Sequence, residues 1–475
     1  MTSEEFRKRG YEIVDFIADY RARVGERPVM ARTAPGAVHA KLPASPPAHA
    51  ERFEDIVRDL DDIILPGLTH WQHPAFFGYF PCNGTLASVL GDYVSTGLGV
   101  LGLAWQSSPA LTELEEVVTD WLRQMLGLSA NWHGVIQDTA STTTLVALLC
   151  ARERKTAYSL SRGGLQAESQ PLTVYASRHC HSSVDKAALA AGFGRDNMRL
   201  VDYDERFALK PEQLEALIAA DLHHQRRPAA VVATTGTTTT TAVDPIAPIA
   251  AIARRHELWL HVDAAMAGSA MILPECRWMW DGIEDADSIV VNPHKWLGAA
   301  FDCTVYFVRD PEHLVRVMST NPSYLQSSAD GQVRNYRDWG LPLGRRFRAL
   351  KLWFLIREQG IDGLQARLRR DLDNARWLAD RVHATACWRV LAPVQLQTVC
   401  VRHERDGLQG DALDRHTLAW ADRINRSGDA YVTPALLDDR WMVRVSVGAE
   451  QTERHHVEKL WQVMRREAER QESPA

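Results

Sequence analysis

At 475 residues, 45% hydrophobic and 24% charged, the chain has an ordinary globular composition and length enough for two or three domains. A formal net charge of -6 gives no electrostatic pull toward nucleic acid or an anionic membrane, and no apolar run reaches the ~18 residues that span a bilayer. The acidic opening Met1-Thr2-Ser3-Glu4-Glu5 argues against a signal peptide, and seven cysteines without a C-x-x-C pair point to reduced thiols in the cytoplasm.

Residues 4–24 carry Phe6, Ile13, Ile17, Tyr20 and Val24 at helical spacing, with Thr2 and Glu5 spaced as a capping box. A Pro/Ala-rich stretch, 31–50, reads as an arm, and a short helix over 51–64 ends at Pro66-Gly67. So small a set of apolar residues makes no core of its own, which points to packing on another subunit. Residues 69–81 hold five aromatics between prolines and a glycine. They are either core filler under a loop or the wall of an apolar ligand site.

Gly97-Leu98-Gly99-Val100-Leu101-Gly102 matches G-x-G-x-x-G. A dinucleotide site needs a strand before that motif and a helix opening from it. Here Leu86–Thr96 reads as a helix, and Ser108-Pro109 starts another through Leu111, Leu114, Val118, Trp121 and Met125. A nicotinamide site is rejected, and the glycines read as a tight loop approaching another chain.

From residue 134 the pattern becomes strand, turn, helix, repeated. Gly134-Val135-Ile136 leads into Thr139-Ala140-Ser141 and a helix, a turn suited either to simple capping or to an anion at the helix start. Leu172–Ala176 delivers His179 and His181. Two histidines two apart fit zinc, a flat ring stacked on a ligand, or a helix cap, and no further ligand cluster of zinc spacing follows. Met198–Tyr203 is a further strand. Ala229–Ala233 runs into the threonine-rich 234–241, either a low-complexity loop or hydroxyls around a polar ligand. Leu258–Asp263 ends in a carboxylate, and the small residues Ala264, Ala265, Ala267 and Gly268 leave room beside it. The apolar run to Val291 then delivers Asn292-Pro293-His294-Lys295-Trp296. A lysine partly stripped of water at a strand's carboxyl end favours the neutral amine that attacks a carbonyl.

Cys303–Val308 is one more strand. A long Ser/Asn/Asp/Gly-rich loop over 318–340 has the character of a lid. Helices are expected over 344–359 and 361–384. Strands at 388–402, 430–434 and 440–447, with helices at 411–427 and 452–469, make a small α+β domain with an antiparallel sheet.

Five features thus fall at turns after strands: the 139–141 turn, His181, Thr237, Asp263 and Lys295. Pyridoxal phosphate would use all five, having a phosphate, a flat ring, a ring nitrogen that needs a carboxylate and an aldehyde that needs a lysine. With His-Val-Asp-Ala-Ala at 261–265, Asn-Pro-His-Lys-Trp at 292–296, His-Ser-Ser-Val at 181–184 and Pro-Leu-Gly-Arg-Arg-Phe-Arg at 342–348, the chain resembles the pyridoxal-phosphate-dependent aromatic-L-amino-acid decarboxylases of group II, from the N-terminal helix to about residue 450.

The resemblance implies an aspartate aminotransferase-like α/β fold with a mainly parallel seven-stranded sheet. It implies an N-terminal helical dimerisation segment (1–83), a large cofactor-binding domain (84–360) and a small C-terminal domain (361–475). It also implies pyridoxal phosphate as cofactor, no metal, and a homodimer with shared sites. Lys295 would form the Schiff base, Asp263 pair with the ring nitrogen beside Ala265, and His181 stack on the ring and orient the substrate. Thr139, Ala140, Ser141, Asn292 and His294 would hold the phosphate, and Thr237 would lie by the ring. Trp71, Tyr79, Phe80, Pro81 and Cys82 would line the side-chain pocket, with Leu101 and Leu103 from the partner subunit. Tyr324 would protonate the substrate's Cα. The implied reaction is decarboxylation of an aromatic L-amino acid, L-DOPA by preference. The alternative is oxidative decarboxylation-deamination to an aldehyde. Cys82 stands where an animal relative has a hydroxyl residue, and Leu103 where it has an aromatic, so the accepted ring substituents stay open.

Overall fold

The computed structural model describes residues 1–320 and 329–470. The chain divides into two compact units. One comprises Cys82–Leu372 with Ala392–Thr398, and the other Met1–Pro81, Asp373–Leu391 and Val399–Ala475.

The larger unit is built on seven strands: β1 (His133–Gln137), β2 (Leu172–Ser177), β3 (Met198–Val201), β4 (Arg227–Thr234), β5 (Trp259–Asp263), β6 (Ser288–Val291) and β7 (Thr304–Val308). Their order is β1-β7-β6-β5-β4-β2-β3. Neighbours from β6 through β5, β4 and β2 to β3 are parallel, and β7 alone runs antiparallel, to both β1 and β6. Parallel strands are covered on both faces, so they read as continuous apolar runs rather than alternations. β2 and β5 are buried at every residue. The helix Ala140–Lys155 supplies Val146, Ala147, Leu148 and Cys150 to a core shared with Val174, Val232, Trp259 and Tyr306.

The sheet order decides where chemistry can sit. All strands but β7 end on one edge, and the reversed β7 brings its first residue there as well, with Thr304 paired to Gln137 and Val305 to Val291. On β5 and β6, Asp263 lies beside Val290, one residue short of the strand end that delivers Lys295.

The glycine run at 97–102 follows a helix, Leu86–Leu98, which Gly99 ends at φ +62°, a conformation that costs other residues more. The next long helix, Pro109–Met125, is capped by Ser108, which accepts the Leu111 N–H at 3.2 Å. The helix expected from 344 begins instead at Ala349 and runs to His383, interrupted at Gly360 (φ +63°, ψ 174°). Residues 344–348 stay out of it because tertiary contacts use them: the Arg345 carbonyl accepts the Gly102 N–H at 2.8 Å, and its buried guanidinium reaches Glu115 and the Ile136 carbonyl.

In the other unit the helix Ser3–Arg23 carries the expected capping box. Thr2 N–H donates to Glu5 Oε2 at 2.7 Å, and Thr2 Oγ1 accepts the Glu5 N–H at 3.2 Å. Its apolar stripe is open at the start, where Phe6 is 55% exposed, and closed at the end, where Val24 is buried. The 388–402 segment forms two antiparallel strands, β8 (Trp388–Val390) and β9 (Thr398–His403). With β10 (Thr433–Leu437) and β11 (Arg440–Ser446) they make a sheet in the order β10-β11-β9-β8. β10 begins at Thr433, later than the expected 430, because Tyr431 bridges to Phe76 instead. The helices Gly410–Ser427 and Arg454–Glu469 complete the unit.

Candidate active site

β6 hands the chain to a single wide turn, Pro293–Leu297, in which Lys295 takes φ −92° and ψ −108°. The Lys295 N–H donates back to the Asn292 carbonyl at 2.9 Å, and its own carbonyl receives the Asn83 N–H at 3.4 Å. The lysine is half-buried between buried neighbours, Asn292, His294 and Trp296. Its positive charge acts on His181, His294 and Cys82.

Asp263 ends the neighbouring strand at 5% exposure. Its Oδ1 accepts the Ala265 N–H at 3.0 Å, and its main-chain carbonyl accepts the Thr235 N–H at 2.9 Å. A carboxylate buried this far is costly unless a cation or donor meets it. Asp263 pulls the pKa of both His181 and His261 upward, against the stronger effect of their burial. His261 lies two residues back on the same strand. Its Nδ1 meets Ser288 Oγ at 2.9 Å, and its buried Nε2 has no hydrogen-bond partner. Burial pushes this ring down to about 4, so it is neutral at physiological pH.

At the end of β1 the helix Ala140–Lys155 starts with an N-cap, Thr139, whose side chain makes no capping hydrogen bond. The Thr139 N–H itself is taken by Asp138 Oδ1 at 2.6 Å. An uncapped first turn keeps its donors and the positive end of the helix dipole for an outside anion, and Ser141 is exposed beside it. Thr304 ties this turn to that of Lys295, donating to the Asp138 carbonyl at 3.0 Å and to Asn292 Oδ1 at 2.9 Å. His294 is 4% exposed, accepts the Cys303 N–H on Nδ1 at 3.0 Å, and is driven by burial to about 4.

His181 is the N-cap of the helix Ser182–Ala190. Its Nδ1 accepts the Ser183 N–H at 3.1 Å, so the neutral ring carries its proton on Nε2. Burial lowers its pKa, Asp263 opposes that shift and Lys295 adds to it. Thr237 is fully buried in the loop after β4, its Oγ1 3.1 Å from that of Thr240 and accepting the Ala242 N–H at 3.0 Å. Among the described residues no three His, Cys, Asp or Glu side chains gather as a metal site, so the paired histidines at 179 and 181 carry no zinc constellation.

Cys82 is half-buried, and burial raises its pKa. Leu101 is 53% exposed and Leu103 half-buried. Trp71, Tyr79, Phe80 and Pro81 belong to the other unit, where the Trp71 and Tyr79 rings stack at 5.3 Å and 9°. Tyr324 lies outside the described residues. Sequence reasoning passed over His261, although its motif was in view, because a buried strand histidine carries no pattern of its own. It also passed over Thr304, whose role depends on β7 running backwards.

A lysine in the turn after one strand and a buried carboxylate at the end of its neighbour, with an uncapped helix start on the same sheet edge, fit pyridoxal phosphate in charge and in chemistry. Comparison with known proteins agrees. Residues 35–404 match the pyridoxal-dependent decarboxylase conserved domain. The chain is 38% identical over 478 residues to the phenylacetaldehyde synthase of Arabidopsis thaliana, covering 98% of this chain and 96% of that one. It is 38% identical over 484 residues to tyrosine decarboxylase 2 of Narcissus pseudonarcissus, covering 98% and 95%. The crystal structure of Oryza sativa TDC with PLP and tryptamine matches with a TM-score of 0.96 at 36% identity, over 98% of each chain. Fold and site therefore define a pyridoxal-phosphate enzyme of the aspartate aminotransferase-like fold. The chain belongs to the pyridoxal-dependent decarboxylase family, within its aromatic-amino-acid branch. Among the described residues no helix is long and apolar enough to cross a membrane.

Proposed function

We propose that the protein is a cytoplasmic, homodimeric aromatic-L-amino-acid decarboxylase that takes L-DOPA by preference and releases the amine and CO2. The observation that carries the reading is the placement of Asp263 at one strand end and Lys295 in the turn after the neighbouring strand, on the sheet edge where a helix starts with its cap open. Bound pyridoxal phosphate supplies an aldehyde that captures amines and a ring that accepts the electrons left when the carboxylate departs.

The chain's residues do the rest. Lys295 would give the amine that holds the cofactor covalently. Asp263, buried at the strand end, would keep a proton on the ring nitrogen. The first-turn N–H groups at Ala140 and Ser141, with Thr139, Asn292 and His294, hold the phosphate. His181 covers the ring face and, with Nε2–H outward, donates to the substrate. Ala265 leaves space under the ring, and Thr237 closes its edge. Trp71, Tyr79, Phe80, Pro81 and Cys82, with Leu101 and Leu103 of the partner subunit, are the side chains that the family resemblance assigns to the substrate's ring. The exposure of Leu86, Leu90, Tyr93, Val94, Leu98 and Leu101 on one helix and the loop after it supports such a partner.

A second reading, an aldehyde synthase, is supported by the resemblance to phenylacetaldehyde synthase. Tyr324 separates the two. As the proton donor to Cα it would end the reaction at the amine; a site lacking that donor would leave Cα open to dioxygen. The wild type should form amine with little oxygen uptake. Tyr324→Phe should keep CO2 release and shift product toward aldehyde, ammonia and peroxide. Oxygen-electrode and amine assays on the pair decide it, and wild-type oxygen uptake in step with CO2 release would overturn the decarboxylase reading. Product analysis with DOPA, 5-hydroxytryptophan, tryptophan, tyrosine and phenylalanine tests the substrate preference.

A further inference from the structure

The turn that carries Lys295 does not satisfy its own main chain. Pro293 O accepts the Gly298 and Ala299 N–H groups, both at 3.0 Å, but the carbonyls of Trp296 and Leu297 accept from a side chain instead. One guanidinium takes both: Arg367 Nη1 donates to Trp296 O at 2.8 Å and Nη2 to Leu297 O. A Cβ at Gly298, which adopts φ +103°, would stand 3.0 Å from Arg367 Nη2, so glycine is what admits the arginine this close.

The side chain after the lysine is held from the same helix. Trp296 is fully buried, and its Nε1 donates to Asp371 Oδ2 at 2.9 Å. Asp371 is also fully buried, with Arg370 Nε at 3.5 Å from its other oxygen. Arg367 and Asp371 are one helical turn apart and face the same way, so a single face of the helix Ala349–His383 grips both the backbone and the indole. Burial pushes Asp371 up to about 6, which the tryptophan N–H and the arginines oppose.

We propose that Asp371 and Arg367 are positioning residues, which act through Trp296 and the carbonyls of residues 296 and 297 to fix the backbone rotation from which Lys295 presents its amine. The inference rests on Lys295 being the lysine that binds the cofactor. Lys295 sits at ψ −108°, outside the helical region, and a rotation there swings the following peptide while aiming the side chain elsewhere. With the next two carbonyls and the next side chain pinned, that rotation has nowhere to go.

The test uses the holoenzyme. Trp296→Phe removes the indole N–H and keeps every charge, Asp371→Leu removes its acceptor, and the double variant removes both. The visible circular dichroism of the bound cofactor reports how the ring is held, independently of turnover. Each single variant should lose visible ellipticity and lower kcat about tenfold, with KM within about twofold. The double variant should be no worse than the worse single, because both changes sever one contact. Arg367→Lys, which keeps a donor, should recover part of what Arg367→Met loses. Unchanged ellipticity and kcat in Trp296→Phe, or losses that multiply in the double variant, would overturn the proposal. Should Asp371→Leu fail to fold, Trp296→Phe alone still decides. Borohydride reduction of the wild type followed by peptide mapping keeps the two readings apart. A mark on another lysine removes the Lys295 assignment and this inference with it. A mark on Lys295 with an unaffected Trp296→Phe removes the inference alone.

Discussion

The 292–298 turn and the exposed rim of the 69–81 segment, above its buried Phe76 and Phe77, are built in opposite ways. In the first, Trp296 is 0% exposed, and its carbonyl and its indole N–H both go to one helix face. In the second, Trp71 is 39% and Tyr79 48% exposed, and the rings hold one another: Trp71 lies 5.3 Å from Tyr79, and Tyr79 6.0 Å from Tyr431. Buried hydrogen bonds on strand ends fix a position to fractions of an ångström, whereas stacked, part-exposed rings contribute about 1 kcal/mol each and can shift. The difference matches the two tasks proposed for them. An amine that must meet one carbon needs the first kind of support; a pocket that must accept aromatic rings tolerates the second.

The largest effect is therefore expected in the rigid region. Lys295→Ala should lose the covalent cofactor band in the visible spectrum and at least about a thousandfold in turnover. Retention of the band would move the Schiff-base assignment to another lysine. Asp263→Asn comes next. An amide cannot hold the ring nitrogen protonated, so turnover should fall by roughly 3 kcal/mol or more in activation free energy while cofactor still binds weakly. Near-normal turnover would remove Asp263 from the site.

Much of the rigid region could be read from the sequence, and for one reason. Strands buried on both faces appear as unbroken apolar runs, so their ends, and the residues at 139, 181, 237, 263 and 295, are marked by where the runs stop. What escaped reading was long-range. That Thr139 leaves its helix uncapped, that Thr304 spans two strand ends, and that Asp371 and Arg367 reach back to Trp296 all depend on contacts no local spacing encodes. The helix misplaced to 344 has the same origin: Arg345 and Phe347 are good enough helix formers, but the tie between the Arg345 carbonyl and Gly102 prevails. The aromatic segment gave the weaker signal, because its order comes from main-chain hydrogen bonds and ring contacts with Tyr431, far along the chain.

A pH titration tests whether the softer segment has a fixed anchor of its own. His294 beside Lys295 and His73 within 69–81 are both pushed down to about 4 by burial, and each accepts a main-chain N–H, from Cys303 and Ala75 respectively. An unfolded histidine binds a proton near pH 6.5 that these folded ones refuse until about 4. Their stability contribution is thus complete above 6.5 and lost as pH falls toward 4. The urea midpoint should drop between pH 7 and pH 5 in the wild type. His73→Asn and His294→Asn should each lower the midpoint at pH 7 and reduce that drop. If only His294→Asn does so, the aromatic segment has no such anchor.

The smallest effect is expected at the rim of the stacked rings. Tyr431 lies parallel to Phe76 at 5.3 Å and 3°, and its hydroxyl is 3.3 Å from that of Tyr79. A Cβ on Gly78 would fall 2.4 Å from the Tyr431 ring, so the backbone of the segment is already pressed against this side chain. Tyr431→Phe keeps the ring and removes only the hydroxyl contact, at a part-exposed site where such a bond is worth about 0.5 kcal/mol. Fold and cofactor spectrum should not change. If Tyr79 lines the substrate pocket, KM for a ring-hydroxylated amino acid should rise about twofold while kcat holds, since an altered wall affects substrate and transition state alike. Tyr431→Ala removes the stack as well and should raise KM further, by about 1 kcal/mol per lost ring pair. A fall in kcat at constant KM would mean that this segment supports the reacting atoms directly, and that the contrast with the 292–298 turn is one of exposure alone.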